Sequence, residues 1–170
     1  MKKLFLSIVT MLFVVVSSAF AQEQKWAVGL NIGYGTDVEK PFIGFRGQYG
    51  INDAFDVAAS FNYYFKDTYK EYDTEVDLKC WDINADLHWN VLNGDNFKVY
   101  PFVGLTYMRA IASVDSEGVS LSASDGKFGA NLGVGGAYDI SSNIAIGVEL
   151  KYQIIEGGQF VPLATIMYKF

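Results

Sequence analysis

Eight times after residue 24 the chain follows one rule. Every second residue is apolar, and the apolar residues turn aromatic towards the segment ends. In the first segment Trp26, Val28, Leu30, Ile32 and Tyr34 alternate with Ala27, Gly29, Asn31 and Gly33. Successive side chains of a strand point to opposite faces, so a period of two builds one apolar face and one small or polar face. The pattern predicts strands near 25–35, 41–50, 55–66, 78–91, 98–109, 127–139, 144–155 and 160–170. Each has about ten residues or slightly more, the length of a tilted strand that crosses a bilayer.

Placing the strands in up-and-down order sorts the rings into two belts. Trp26, Tyr49, Phe55, Trp89, Tyr138, Tyr168 and Phe170 fall at one end, and Tyr34, Phe65, Trp81, Tyr107, Phe128, Tyr152 and Phe160 at the other. Aromatic rings with a polar tip favour the lipid–water boundary. A soluble up-and-down barrel would keep its apolar face inside and carry charge outside. Here the face opposite the rings is glycine, alanine, asparagine and charge, so the apolar face is the outer one. Backbone polar groups in lipid must be satisfied internally, and strands achieve this only in a closed wall. The expected fold is therefore all-β, an eight-stranded antiparallel up-and-down transmembrane β-barrel.

The connections alternate in length. Asn52-Asp53, Leu92 to Asn96 and Ser141-Ser142-Asn143 read as tight turns. Asp67 to Asp77 and Ala110 to Gly126 read as longer polar loops, while Thr36 to Lys40 and Glu156 to Gln159 are short. In bacterial barrels the short turns are periplasmic and the longer loops external, so both chain termini are expected in the periplasm.

Composition adds the compartment. Met1-Lys2-Lys3 is a basic start, Leu4 to Phe20 is apolar, and Ala19-Phe20-Ala21 is a small-x-small cleavage site. This predicts a secretory signal peptide over 1–21 and one barrel domain over 22–170. Gln22 rather than cysteine follows the site, so no lipid anchor is expected there. Without Lys2 and Lys3 the chain has 11 basic and 19 acidic residues, a formal charge of −8. An acidic exported chain is a poor nucleic-acid binder. Cys80 is the single cysteine, so no internal disulfide forms.

An eight-stranded barrel is just wide enough inside for side chains. The inward positions include Arg46, Gln48, Asp82, Asn84, Asp86, His88, Asn90, Asn131, Glu149, Lys151 and Gln153. Arg46, Asp86 and Glu149 are expected at one height, with Asn31, Asn62 and Lys151 close in level. Buried charges must be paired, so Arg46 is expected to bridge one or both carboxylates. Such a cluster either plugs the lumen or gates a narrow path. His88, the only histidine, shares its face with Asp86 and Asn84, and Ser60 is on the neighbouring strand. A histidine base needs a hydroxyl within hydrogen-bond reach, and a structural histidine in a polar lumen is the simpler reading. No metal-ligand spacing appears, and Gly133-x-Gly135-Gly136 opens no helix, so it is no nucleotide loop. No cofactor is expected.

The cleaved leader, the eight alternating segments and the terminal Tyr168-Lys169-Phe170 resemble the small bacterial outer-membrane barrels. These are the superfamily of the outer membrane protein A barrel, its X and W relatives and the "porin family" barrel-domain proteins. Val99-Tyr100-Pro101-Phe102-Val103-Gly104 and Asn143-Ile144-Ala145-Ile146-Gly147 are similar to strand starts after periplasmic turns in that group. The resemblance implies residence in the cell outer membrane, surrounded by its lipid. It also implies insertion by the barrel assembly machinery, which reads a last strand ending in an aromatic residue. Ile166, Tyr168 and Phe170 match that signal. The family's internal Arg–Glu gate maps by height onto Arg46 and Glu149. No envelope-tethering domain is expected after Phe170. The implied function is a non-enzymatic, porin-like structural or interaction barrel, with 67–77 and 110–126 as the segments that meet an extracellular partner. The alternatives are a narrow gated small-solute channel and, behind it, an outer-membrane lipid acyl hydrolase or transferase using His88.

Overall fold

The computed structural model describes residues 26–71, 74–116 and 119–170, with side chains described outside 66–78 and 112–122. The leader expected over 1–21 lies outside the described residues. The strands are β1 (Trp26–Gly35), β2 (Lys40–Asn52), β3 (Phe55–Glu71), β4 (Thr74–Trp89), β5 (Phe97–Ser116), β6 (Val119–Asp139), β7 (Ile144–Ile154) and β8 (Gln159–Lys169). Each is antiparallel to the next, and β1 also pairs with β8 through Ala27↔Lys169 to Gly33↔Leu163. The sheet therefore closes on itself, which removes every edge within the paired region.

Period two is visible in the burial of β7. Ile144, Ile146, Val148, Leu150, Tyr152 and Ile154 are exposed, while Ala145, Gly147, Glu149, Lys151 and Gln153 are buried. An outer wall of bare Val, Leu, Ile and Phe next to an interior of amides and charges inverts a soluble fold. Such a wall is covered only by lipid. Ring contacts join the belts around the wall. At the end holding Phe170, Trp26 meets Tyr49 at 4.7 Å. At the far end Phe61, Trp81, Tyr107 and Phe128 form a row spaced 5.9, 5.7 and 4.7 Å.

The tight turns use the expected chemistry. Asn52 Oδ1 accepts from the amides of Ala54 and Phe55, both at 2.9 Å. Ile140 N donates to Ile144 O at 2.9 Å across Ser141–Asn143. The third turn holds a two-residue strand, Leu92–Asn93, that pairs with Val99 and Lys98. At Gly157 and Gly158 the φ angles are 95° and 64°, values only glycine adopts cheaply, and they fold the chain back within four residues.

Two expectations fail at the far end. The described residues of segments 67–77 and 110–126 are paired strand, not loop. β3 and β4 stay paired to Glu71↔Thr74, and β5 and β6 to Ser116↔Val119. β4 and β5 also remain paired up to Glu75↔Asp115. Four adjacent strands thus rise as one sheet above Trp81 and Tyr107, by roughly 20–30 Å along the strand at about 3.3 Å per residue. The other four strands stop at the belt. Backbone pairing continues here because it needs no apolar face, only partners for its N–H and C=O groups. A register shift between Tyr64 and Asp67 marks where β3 leaves the belt.

Candidate functional site

The strands aim their polar faces at the barrel axis, so the candidate site is the lumen. It is filled in layers. Towards the far mouth Phe42, Tyr64, Val161 and Leu163 form an apolar cluster, flanked by Val38, Cys80 and Met108. Tyr64 turns its hydroxyl down and donates to Asp82 Oδ2 at 2.8 Å. Below lies an amide lattice. Asp82 Oδ1 accepts from Asn62 and Asn84, both at 2.7 Å. Gln153 donates to Asn84 Oδ1 at 3.2 Å and to Thr106 Oγ1 at 3.2 Å. Asn131 donates to Asp86 Oδ1 at 2.7 Å and to Asn84 Oδ1 at 3.0 Å.

The expected charge cluster sits in the next layer. Arg46 donates from Nη1 to Glu149 Oε1 at 2.7 Å and from Nη2 to Glu149 Oε2 at 2.9 Å, a two-pronged pair buried on both sides. Tyr100 closes it by donating to Glu149 Oε1 at 2.8 Å. Arg46 therefore bridges one carboxylate, not two. Asp86 is held by Asn131, and Lys151 donates to Asn84 Oδ1 at 3.1 Å. Among the described residues neither Asp86 nor Lys151 is in a direct ion pair, and their opposite charges act on each other and on the pair at longer range. Asn31 and Asn62, expected near this level, bond to each other at 3.2 Å in the lattice above. Towards the end holding Phe170, Asp56 accepts from Gln48 at 3.0 Å and Asn90 at 3.1 Å, with Lys98 at 3.7 Å.

His88 is fully buried between rings. It stacks on Tyr100 with centroids 4.5 Å apart and 8° between planes, and Phe102 lies 5.2 Å away. Neither ring nitrogen has a hydrogen-bond partner. Ser60 Oγ instead accepts from Asn84 at 3.3 Å. The geometry thus couples His88 to no hydroxyl nucleophile. Among the described residues no three His, Cys, Asp or Glu side chains are arranged to hold a metal ion.

The sequence reading missed four inward rings: Phe42, Tyr64, Tyr100 and Phe102. Three lie on glycines of the next strand, as the pairings Gly33↔Phe42, Phe102↔Gly133 and Tyr100↔Gly135 show. A Cβ built on Gly135 would come within 2.6 Å of Tyr100, and one on Gly33 or Gly133 would run into Phe42 or Phe102. The rings fill space that the glycines leave. A Gly133→Ala barrel is expected to lose about 1–3 kcal/mol by overpacking. The shift in urea midpoint would show it, and adding Phe102→Leu in the same chain should restore part of the loss.

The residues expected to form the assembly signal lie together at the end of the last strand. Ile166 and Tyr168 face outward, Tyr168 meets Phe170 edge-on at 5.1 Å, and the Phe170 amide donates to Trp26 O at 2.8 Å.

The sequence matches a family model described as outer membrane protein beta-barrel domain over residues 7–163. No curated protein sequence matches. Among solved structures, Ail, the attachment invasion locus protein of Yersinia pestis, is 18% identical with a TM-score of 0.58, covering 85% of this chain and 96% of that one. The N-terminal β-barrel domain of Pseudomonas aeruginosa OprF is 18% identical with a TM-score of 0.62, covering 88% and 100%. Neisserial surface protein A is 19% identical with a TM-score of 0.62, covering 86% and 97%. At these identities the likeness is one of fold.

Proposed function

We propose, from the premise that this chain belongs to the outer membrane protein β-barrel domain family, that it is a sealed, non-enzymatic barrel of the cell outer membrane. Its work is then done by its wall and its protruding strands rather than by its lumen. The carrying observation is the filled interior, in which apolar cluster, amide lattice and Arg46–Glu149 pair succeed one another along the axis. A lumen occupied at each of these heights leaves no continuous water path. Trp26 and Phe170, the first and last described residues, lie at one end. With that end in the periplasm, as in the family's usual topology, the rising hairpins of β3–β4 and β5–β6 stand outside the cell. Segments 67–77 and 110–126 are then the surface offered to an extracellular partner, carried on paired strands. Ile166, Tyr168 and Phe170 are the residues offered to the barrel assembly machinery.

Planar-bilayer recording of the refolded mature chain tests the seal. The expected result is inserted, folded protein that passes no discrete current. Discrete steps from the unmodified chain would overturn the seal and favour the second reading, a narrow gated channel. One observation favours that alternative. Among the described residues the hydrogen bonds of Lys151 and Asp86 beside the Arg46–Glu149 pair go to amide side chains, and their charges act on the pair at longer range. They are therefore available to exchange with it, and a channel of this kind would change conductance on Arg46→Gln or Glu149→Gln.

A further inference from the structure

His88, the only histidine of the chain, is 0% exposed, and both its ring nitrogens are buried without a hydrogen-bond partner. Among the described residues it is the single side chain with every polar atom in that condition. Rings take its faces, with Tyr100 stacked at 4.5 Å and Phe102 at 5.2 Å. The charged groups around it are already engaged. On β3, Asp56 is paired directly with His88 and accepts from Gln48 and Asn90, with Lys98 of β5 at 3.7 Å. On β7, Glu149 accepts two bonds from Arg46 of β2 and one from Tyr100 of β5. On β4 itself, Asp86 is held by Asn131. Lys151 of β7 acts on the ring at longer range, as do Glu149, Arg46 and Asp56. At this level β6 offers glycine, Gly133 and Gly135, opposite Phe102 and Tyr100.

An imidazolium has two N–H donors and a full charge to satisfy. In this layer the carboxylates have spent their bonds on other donors, and two cations stand among them. A charge buried without hydrogen bonds is costly, so the packed layer has no place for a proton on His88. In water the same ring takes a proton readily below about pH 6.5. We infer that His88 is an acid trigger: the barrel takes up a proton there only by opening the lower lumen, so acid draws the population towards the opened state. No movement of Arg46 from Glu149 is needed for this, and the trigger works whether or not the lumen conducts.

The sign follows from linkage. The opened or unfolded chain binds the extra proton, so stability falls as the pH drops through about 6.5 and returns above it. A ring that stays neutral in the fold and titrates at its ordinary value once released weakens folding by about 30-fold at pH 5 relative to pH 8. No other side chain of the chain has its ordinary value between pH 5 and 8.

The test refolds the mature chain into phosphatidylcholine vesicles and measures equilibrium urea unfolding from pH 8 to pH 5, beside His88→Phe, which keeps a ring and removes the titration. The readout is the ratio of folding constants at the two pH values, so any difference in stability at pH 8 cancels. Carboxylates contribute alike to both chains. The unmodified chain is expected to lose about 30-fold more than the variant over this range. Ratios that agree within about twofold would overturn the trigger, since the fold would then accept the charge without penalty. A second measurement needs no variant. The carbon-bound ring protons of the single histidine, followed by NMR in detergent micelles, are expected to keep their neutral positions down to pH 5 while the barrel stays folded. A shift with its midpoint near 6.5 in the folded barrel would overturn the proposal even if His88→Phe does not fold.

Discussion

A Glu149→Gln barrel is expected to lose about 3–5 kcal/mol of stability, the usual result of leaving one member of a buried ion pair without its partner. The Arg46 guanidinium would keep its charge, since no lumen condition removes its proton, and would lose both carboxylate bonds at 2.7 and 2.9 Å. Tyr100 would lose its charged acceptor as well. Equilibrium urea unfolding in lipid vesicles measures the effect. The companion variant, Arg46→Met/Glu149→Leu, discriminates between two accounts of the pair. If the loss in the single variant comes from a stranded charge, the double variant recovers most of it. If the double variant is as weak as the single, the pair contributes net stability of its own.

The second large effect belongs to the outer wall. Val148 faces outward and is 65% exposed, and it pairs with Ala164, which stands four residues from Phe160 and four from Tyr168. That places Val148 midway between the two belts. Val148→Arg is therefore expected to cost about 2–4 kcal/mol, the penalty for a cation at the bilayer midplane. Arginine at Tyr168, in the belt itself, should cost about 0–1 kcal/mol, because the headgroups are within reach. The contrast between the two variants in the same vesicles measures depth directly. Equal penalties would mean that the belts do not mark the lipid boundary.

Much of this molecule is readable without coordinates, and the reason is the two-residue period. Lipid demands an unbroken apolar face, so Trp26 to Tyr34 or Ile144 to Ile154 declare both strand and orientation. The pairing of Arg46 with Glu149 is also legible, because a narrow lumen must neutralise its charges and only height has to be guessed. Phe42, Tyr64, Tyr100 and Phe102 escaped notice for a physical reason. An aromatic residue is the expected occupant of an outer belt, and only parity, counted against neighbours, shows that these four point in. The signal that would have found Phe42, Tyr100 and Phe102 is the glycine opposite, and that requires the register. The rising strands escaped for another reason. Above the belt no lipid enforces a period, so segments 67–77 and 110–126 read as polar loop although their backbones stay paired. His88 follows a different logic: its ring is held by stacking on Tyr100 rather than by hydrogen bonds at its nitrogens.

The glycines under the inner rings bear on a problem that the outer face cannot solve. Sliding one strand past its neighbour by two residues keeps every apolar side chain in the lipid, so hydrophobicity is blind to that error. The interior is not. Such a slip moves Tyr100 from Gly135 onto Ala137 when Phe102 moves onto Gly135, and the opposite slip sets Phe102 against Asn131. At the other seam Phe42 leaves Gly33 for Asn31 or for Gly35, where Val38, Gln159 and Tyr64 already fill the space. The rings and their glycines thus act as a proofreading code for closure: a wall of nearly interchangeable greasy strands reaches one alignment because only there do Phe42, Tyr100 and Phe102 each find an empty place beside them.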